Sequence, residues 1–519
     1  MELGRLKRIR RVVSAGLLVL SGAIFVDISG VIPAQVTSTV VSFQLVPALI
    51  RSVSTFGIWT IGFLFILLLT AAFGRVYCST LCPLGTLQDI VIFLTLRWKK
   101  HRHRRRWYAF SPPQYLVHYT LFAVIGANAI LGGLFLLNLV EPFSNFGRVV
   151  ADLFRPGLIA LFNGVALVLE SFHSYDISRF TSHGIDTEVI VGTILFFAAV
   201  IYLSSTRGRL FCNLLCPAGA FLGVVSRFSL LRLEIDRTSC DSCSLCEKVC
   251  KARCVETSSK RIDFAACVSC FNCAAACPSN SVRYAFTWSS RKVRVDAPVN
   301  PDRRRFFAYS AAPLLIAAGV STDSTAVPGI TRSGYPVTPP GSGSHDRFSS
   351  LCSACHLCVS ACPTQVIQPA LLGYGYSGIF QPKMDYRVNY CTYDCVLCTS
   401  VCPTGAIQPL SPEAKKEVQL GRVQFVRDDC IVVSKKRDCG ACAEHCPTKA
   451  VTMIPYEGNL RIPRTNEDVC VGCGACEHAC PTIPRKAIYV EANLVHRQAK
   501  KPEIKKLEPA VESGQEFPF

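Results

Sequence analysis

Acid is the scarce commodity in this 519-residue sequence: 36 Asp and Glu face 55 Lys and Arg, a formal charge of +19. A nucleic-acid binder would line a groove with that excess. Here the basic residues crowd against apolar runs, as they do in membrane proteins, so no nucleic-acid partner is expected. Histidine is also sparse, ten in all. Only His118 stands within an apolar run as a potential axial ligand, so the spans offer no histidine pair for haem. No small-residue cleavage site follows the first apolar run, which is therefore read as a retained span rather than a signal peptide. Missing too are the paired C-x₂-C spacing of structural zinc sites and the small secreted frame that disulfides serve.

What the sequence has in quantity is cysteine, 29 residues. Two quartets, Cys240/Cys243/Cys246/Cys250 and Cys267/Cys270/Cys273/Cys277, follow the C-x₂-C-x₂-C-x₃-C spacing of bacterial [4Fe–4S] ferredoxins. Four more lie further on: Cys352/Cys355/Cys358/Cys362, Cys391/Cys395/Cys398/Cys402, Cys430/Cys439/Cys442/Cys446 and Cys470/Cys473/Cys476/Cys480. In two-cluster ferredoxins the fourth cysteine of each run ligates the other cluster. The first pair of quartets should therefore hold one cluster on Cys240, Cys243, Cys246 and Cys277, and another on Cys267, Cys270, Cys273 and Cys250. Cys254 is a rival fourth ligand, but spacing favours Cys250. In the later quartets either consecutive runs exchange ligands or the outer two pair around the inner two. Six [4Fe–4S] clusters result in both cases. Cys352-Ser353-Ala354-Cys355-His356 also matches a haem-attachment pattern, yet Cys358 and Cys362 complete a ferredoxin quartet there.

Residues 1–236 read as a membrane domain with four spans of roughly 20 apolar residues: Val12 to Ile32, 56–73, 115–140 and 189–204. The basic stretches at Arg5–Arg11 and Arg97–Trp107 place the N-terminus and the second loop inside. Val40–Ile50 reads as an outer-face interfacial helix. Gly157–Phe172, only about 16 residues, is too short for an ordinary span and reads as re-entrant or surface-lying. Two spans end in near copies of one motif, Gly74-Arg75-Val76-Tyr77-Cys78 through Cys82-Pro83-Leu84-Gly85 and Gly208-Arg209-Leu210-Phe211-Cys212 through Cys216-Pro217-Ala218-Gly219. The four thiols of Cys78, Cys82, Cys212 and Cys216 sit at inner helix ends. There they have three uses open to them: holding a metal or cluster, forming a redox disulfide, or relaying electrons. Asp27 and Glu141, toward the outer ends, are candidates for taking protons from a quinol; the alternative is that both face water at the membrane surface.

Residues 237–290 form the two-cluster module. Within 291–322, Arg303-Arg304-Arg305-Phe306-Phe307 opens an apolar run that reads as a twin-arginine-like fifth span, with a short buried helix as the alternative. Residues 323–350 read as a flexible linker, 351–490 as a four-cluster module and 491–519 as a disordered tail. The fold class expected is an α-helical polytopic membrane domain plus α+β bacterial-ferredoxin-like [4Fe–4S] modules. The modules are expected on both faces of a bacterial inner (cytoplasmic) membrane.

The twin C-x₃-C-P motifs after spans, followed by Cys240–Cys277, resemble the NapH-type membrane ferredoxins, which belong with NosR. The remainder, from Arg303-Arg304-Arg305-Phe306 to Cys480, resembles the NapG/MauM-type exported ferredoxins. The chain is thus similar to a fusion of the two. That resemblance implies oxidation of menaquinol or ubiquinol from the quinone pool, with electrons passed to a periplasmic reductase or cytochrome. CcoG-type proteins share the membrane motif and imply an alternative, an assembly factor that reduces a metal for another enzyme. A third reading is a polyferredoxin anchored at the cytoplasmic face.

Overall fold

The computed structural model describes residues 3–27, 30–54, 57–101, 108–173, 179–180, 184–286 and 334–501. The chain divides into two compact units, Met1–Asp385 with Val396–Leu410, and Tyr386–Cys395 with Ser411–Phe519.

The first unit is built on helices α1 (Leu3–Val26), α2 (Ala34–Ser42), α3 (Leu45–Ser54), α4 (Ile58–Phe73), α5 (Tyr77–Thr80), α6 (Pro83–His101), α7 (Tyr115–Ile130), α8 (Phe135–Val140) and α9 (Pro142–Arg148). A π turn, Val149–Phe154, joins α9 to α10 (Arg155–Ser171). α11 (Thr187–Arg207), α12 (Leu210–Leu214) and α13 (Pro217–Ser226) complete the helical part. Their outer faces remain apolar: Leu64, Phe65 and Leu68 on α4, and Leu161, Leu167 and Val168 on α10, are exposed. Surface of that kind, on helices that satisfy their own backbone, suits lipid rather than water. Three helices, Gly4–Val26, Pro142–Ser171 and Thr187–Arg207, are long and apolar enough to cross a membrane, or four spans if a bent pair counts as one. This is a membrane protein.

Several sequence expectations need correcting. Gly157–Phe172 is not a short surface helix but the second half of a 30-residue one running from Pro142. Its first half carries the polar residues Asn145, Arg148 and Asp152. The fold satisfies them internally: Arg148 donates to Asn145 Oδ1 and Asn138 O, and Asp152 accepts from Thr193. The expected span 115–140 stops at Ile130 and restarts at Phe135, the Gly132-Gly133 pair turning between them. Val40–Ile50 belongs to a pair of helices, α2 and α3, bent by 97°. The corner reaches inward, where Leu45 N–H donates to Tyr77 Oη at 3.1 Å and Gln44 donates to Leu81 O. The stretch 323–350 is not linker throughout. Val337, Thr338 and Ser342 are buried, and Arg347 ties the segment down by donating to Ser342, Gly405 and Ala406 carbonyls. The tail does not begin at 491 either: a strand continues over Ile488–Gln498, antiparallel to Val418–Phe425, because ladder pairing uses backbone groups whatever the side chains carry. The twin-arginine-like span at Phe306–Val320 lies outside the described residues.

The first ferredoxin module follows α13. Strand β1 (Leu231–Ile235) pairs with β4 (Val282–Phe286), and β2 (Val255–Glu256) with β3 (Arg261–Ile262). It is anchored to the motif ends of the helices. Tyr284 Oη donates to Phe73 O at 2.6 Å, Arg209 N to Lys251 O at 2.9 Å, and Asn213 to Ala252 O and Ala266 O. α4 and α11 both stop at a glycine in the left-handed region, Gly74 at φ +77° and Gly208 at φ +70°. A Cβ at Gly208 would lie 2.3 Å from Lys251 O, so the helix end and the module touch only because the side chain is missing.

Candidate metal centres

In the first module the two quartets gather as ligand exchange requires. Cys240, Cys243, Cys246 and Cys277 line one cavity. Cys267, Cys270 and Cys273 line another together with both Cys250 and Cys254. Those two sulfurs are 3.6 Å apart. The hydrogen bond from Cys254, aided by backbone N–H groups and against the pull of burial, brings the Cys250 thiol down to about 7. The backbone N–H groups around Cys250 and its contact with Cys254 thus favour Cys250 as the anion of the pair.

Further along the first unit, Cys352, Cys355 and Cys358 stand with Cys402 rather than Cys362 as their neighbour. The boundary between the two units falls inside the run Cys391/Cys395/Cys398/Cys402. Cys398 and Cys402 belong to the first unit, Cys391 and Cys395 to the second. Cys398 is buried on the short helix Leu397–Val401, and its charge is among those that raise the Cys358 thiol. Cys391 instead donates its N–H to Cys473 O at 2.9 Å.

In the second unit Cys430, Cys439, Cys442 and Cys480 line one cavity, while Cys470, Cys473 and Cys476 stand with Cys446. In that unit the fourth cysteine of each quartet thus stands beside the first three of the other. Burial, and then Cys439, Cys480 and Cys430, push the Cys442 thiol up to about 12. Such crowded, buried thiols ionise only when a metal core takes their charge. Among the described residues no three His, Cys, Asp or Glu side chains are grouped to hold a single metal ion; a polynuclear cluster spaces its thiolates more widely than one ion does. Backbone N–H groups already point at sulfur, from Ser269 to Cys267 at 3.4 Å and from Gly472 to Cys470 at 3.3 Å.

His356, the residue that completes the haem-like pattern, is committed elsewhere. Its Nδ1 is 2.8 Å from Asp152 Oδ1 and its Nε2 2.8 Å from Phe380 O. His118 Nε2 is 3.0 Å from Cys216 O. The two carboxylates singled out as proton acceptors both take backbone N–H groups. Asp27 accepts from Val31 and Ile32 N–H at the end of α1, and Glu141 from Phe143 and Ser144 N–H at the start of α9.

The twin motifs come together. Cys78, Cys82, Cys212 and Cys216 are buried in one core, and each motif's arginine reaches across to the other. Arg75 donates to Cys212 O at 3.0 Å and Arg209 to Cys78 O at 2.9 Å. The same guanidiniums lie 3.9 and 3.8 Å from the sulfurs of Cys78 and Cys212. The prolines start α6 and α13, whose N–H groups at Gly85 and Gly219 donate to Cys82 Sγ and Cys216 Sγ at 3.4 and 3.3 Å. Added Cβ atoms at these glycines would sit 2.3 and 2.1 Å from the carbonyls of Cys78 and Cys212. Sequence reasoning quoted Arg75 and Arg209 but gave them no part; their repetition in both copies was the available signal. It missed Asp89, which takes Arg209 at 2.7 Å and Arg10 and Lys251 at 3.2 Å each, and nothing in the local sequence marks it. Burial alone would raise the Asp89 carboxyl, but Arg209, Lys251 and Arg10 together hold it well below the usual carboxylate range.

Comparison with known proteins agrees with this chemistry. A family model described as a 4Fe-4S binding domain matches residues 55–101 and again 189–235. One described as a 4Fe-4S dicluster domain matches 351–433 and 436–483. The chain is 30% identical over 184 residues to the methylamine utilization ferredoxin-type protein MauN of Paracoccus denitrificans, covering 34% of this chain and 48% of that protein. It is 24% identical over 224 residues to the ferredoxin-type protein NapH of Escherichia coli K12, covering 42% and 63%, and 27% identical over 136 residues to NapF of the same strain, covering 26% and 74%. The match thus spans about half of MauN and under two thirds of NapH. No solved structure matches.

Proposed function

We propose that this chain, a NapH-like ferredoxin-type iron–sulfur protein, carries electrons from quinol through six [4Fe–4S] clusters to a redox partner across the bacterial inner membrane. Clusters bound at these cysteines supply one-electron transfer at potentials that surrounding hydrogen bonds and burial adjust. The residues supply the rest. Apolar cores around Cys246, Cys273 and Cys355 keep water out, and backbone N–H groups at Ser269 and Gly472 support negative sulfur.

One observation carries the two-sided reading: α1 touches an iron–sulfur module near each end. Leu6 packs on the core around Cys250 and Cys267. Phe25 meets α9 at Phe143 and Gly147, and Gly147 in turn abuts Cys355 O. From Leu6 to Phe25 the helix rises about 28 Å, close to the ~30 Å of a hydrocarbon core. The quinol donor comes from the resemblance of the twin motifs to NapH-type proteins.

The test is topological. A cytoplasm-active reporter after Tyr284 and a periplasm-active one after Gly343 should both be active, and changing Arg303, Arg304 and Arg305 to Lys should silence the second. A Gly343 fusion active only in the cytoplasm would replace the two-sided conduit with a carrier confined to one face.

A further inference from the structure

We infer that Cys78, Cys82, Cys212 and Cys216 together ligate one more [4Fe–4S] cluster, beyond the six of the ferredoxin quartets, within the helical core. The inference deepens the electron-carrier reading and rests on it only for its purpose, not for its chemistry. Each segment matched by the 4Fe-4S binding model contributes only two motif cysteines, so neither half makes a four-thiolate site alone. The fold supplies what sequence separates, bringing both halves into one buried core.

Charge is the decisive argument. Arg75 and Arg209 are 1% and 0% exposed. Arg10, Arg209 and Lys251 share the single carboxylate of Asp89. The hydrogen bonds of the Arg75 side chain go to Asn213 Oδ1, two carbonyls and the Cys78 sulfur, none of them an acid. Even with Lys251 assigned to the neighbouring Cys270 site, three guanidiniums face one carboxylate, and an excess of two buried cations is costly. Four neutral thiols, or two disulfides, do nothing to offset it. A cubane held by four thiolates is a dianion when oxidised and a trianion when reduced, which matches the sign and roughly the size of the excess.

The other contacts of the site have the same polarity. The α6 and α13 N-termini direct N–H groups at Cys82 and Cys216, where helix ends favour negative charge. Cys212 Sγ lies 3.4 Å from Gln88 Oε1, while the Nε2 of this wholly buried side chain has no hydrogen-bond partner. Rotating that amide would turn its idle donor on a thiolate. The same core contains Val268 and Cys270 on one side and Cys355 and Leu357 on another. The site therefore stands in continuous packed protein between two ferredoxin-type centres.

Native mass spectrometry of the detergent-solubilised, anaerobically reconstituted full chain tests this directly. Seven clusters, roughly 28 irons, should populate the highest-mass species, against roughly 24 for six. A highest-mass species with six clusters would overturn the proposal. Cys82→Ser with Cys216→Ser should lose about four irons while the EPR signals of the quartet clusters persist. Unchanged iron in that variant would likewise overturn it, as would a wild-type mass two or four hydrogens lighter at this site, the mark of disulfides. Arg75→Gln, which keeps the ligands, should shift the midpoint potential of one cluster only, a change that a merely structural arginine would not produce. A seven-cluster protein that quinol does not reduce would leave the site standing and remove the proposed donor.

Discussion

Asp89 shows how one residue organises a region that motif reading describes only by its cysteines. Three cations converge on it, and with Arg209 fully buried its loss leaves charge without an anion. Asp89→Asn should destabilise the solubilised protein by about 3–5 kcal/mol, read as a fall in its thermal midpoint. The sign of the pH dependence follows from the depressed carboxyl. Its stabilisation is fully present above the unfolded value of about 3.9 and is lost as pH falls through the folded one. The gap between parent and variant should therefore stay flat from about pH 5 to 8; a gap that widens with pH across that range would contradict the assignment. Beside Cys250 the prediction is a contrast. Cys250→Ser should cost the cluster of Cys267, Cys270 and Cys273, whereas Cys254→Ser should keep it with a shifted potential, both measured by EPR. The reverse pattern would make Cys254 the ligand.

At the scale of elements, ligand exchange ties short pieces together. Cys446 lies at the end of one quartet but stands with Cys470, Cys473 and Cys476. Cys446→Ser should therefore disturb that cluster and spare the one at Cys430, Cys439 and Cys442, while Cys480→Ser should do the opposite; EPR of each variant separates the two. Helix starts carry equal weight in the membrane part. Gly219→Ala would press a methyl group against Cys212 O at 2.1 Å. A clash with backbone cannot be relieved by a rotamer, so a cost of about 1–3 kcal/mol and a lower yield of folded protein are expected. The 30-residue helix from Pro142 to Ser171 was illegible at this scale, because its charged interior positions find partners far away in sequence, as Asp152 does in His356.

Across the whole molecule, two kinds of stability coexist. The helical part has long apolar elements that hold together through their own packing. The second unit has little of that: helices of four or five residues, below the length at which helices persist alone, and two-stranded sheets around cores made largely of cysteine. Stripping iron with a chelator under oxidising conditions should render 411–501 protease-sensitive while the helices of 3–226 stay resistant. Equal resistance of both would mean that the second unit folds without its clusters.

Cysteine spacing and hydropathy by themselves determined the iron–sulfur class, the membrane character and the four repeated thiols after two spans, because these are local signals of ligand chemistry and lipid solubility. Only the tertiary structure showed which fourth cysteine stands beside which set and that Pro142–Ser171 is one helix. It alone also showed Arg75 and Arg209 crossing between motifs more than 130 positions apart. Those outcomes depend on charge compensation and close backbone approach between segments distant in sequence, and no local pattern records a partner that far away.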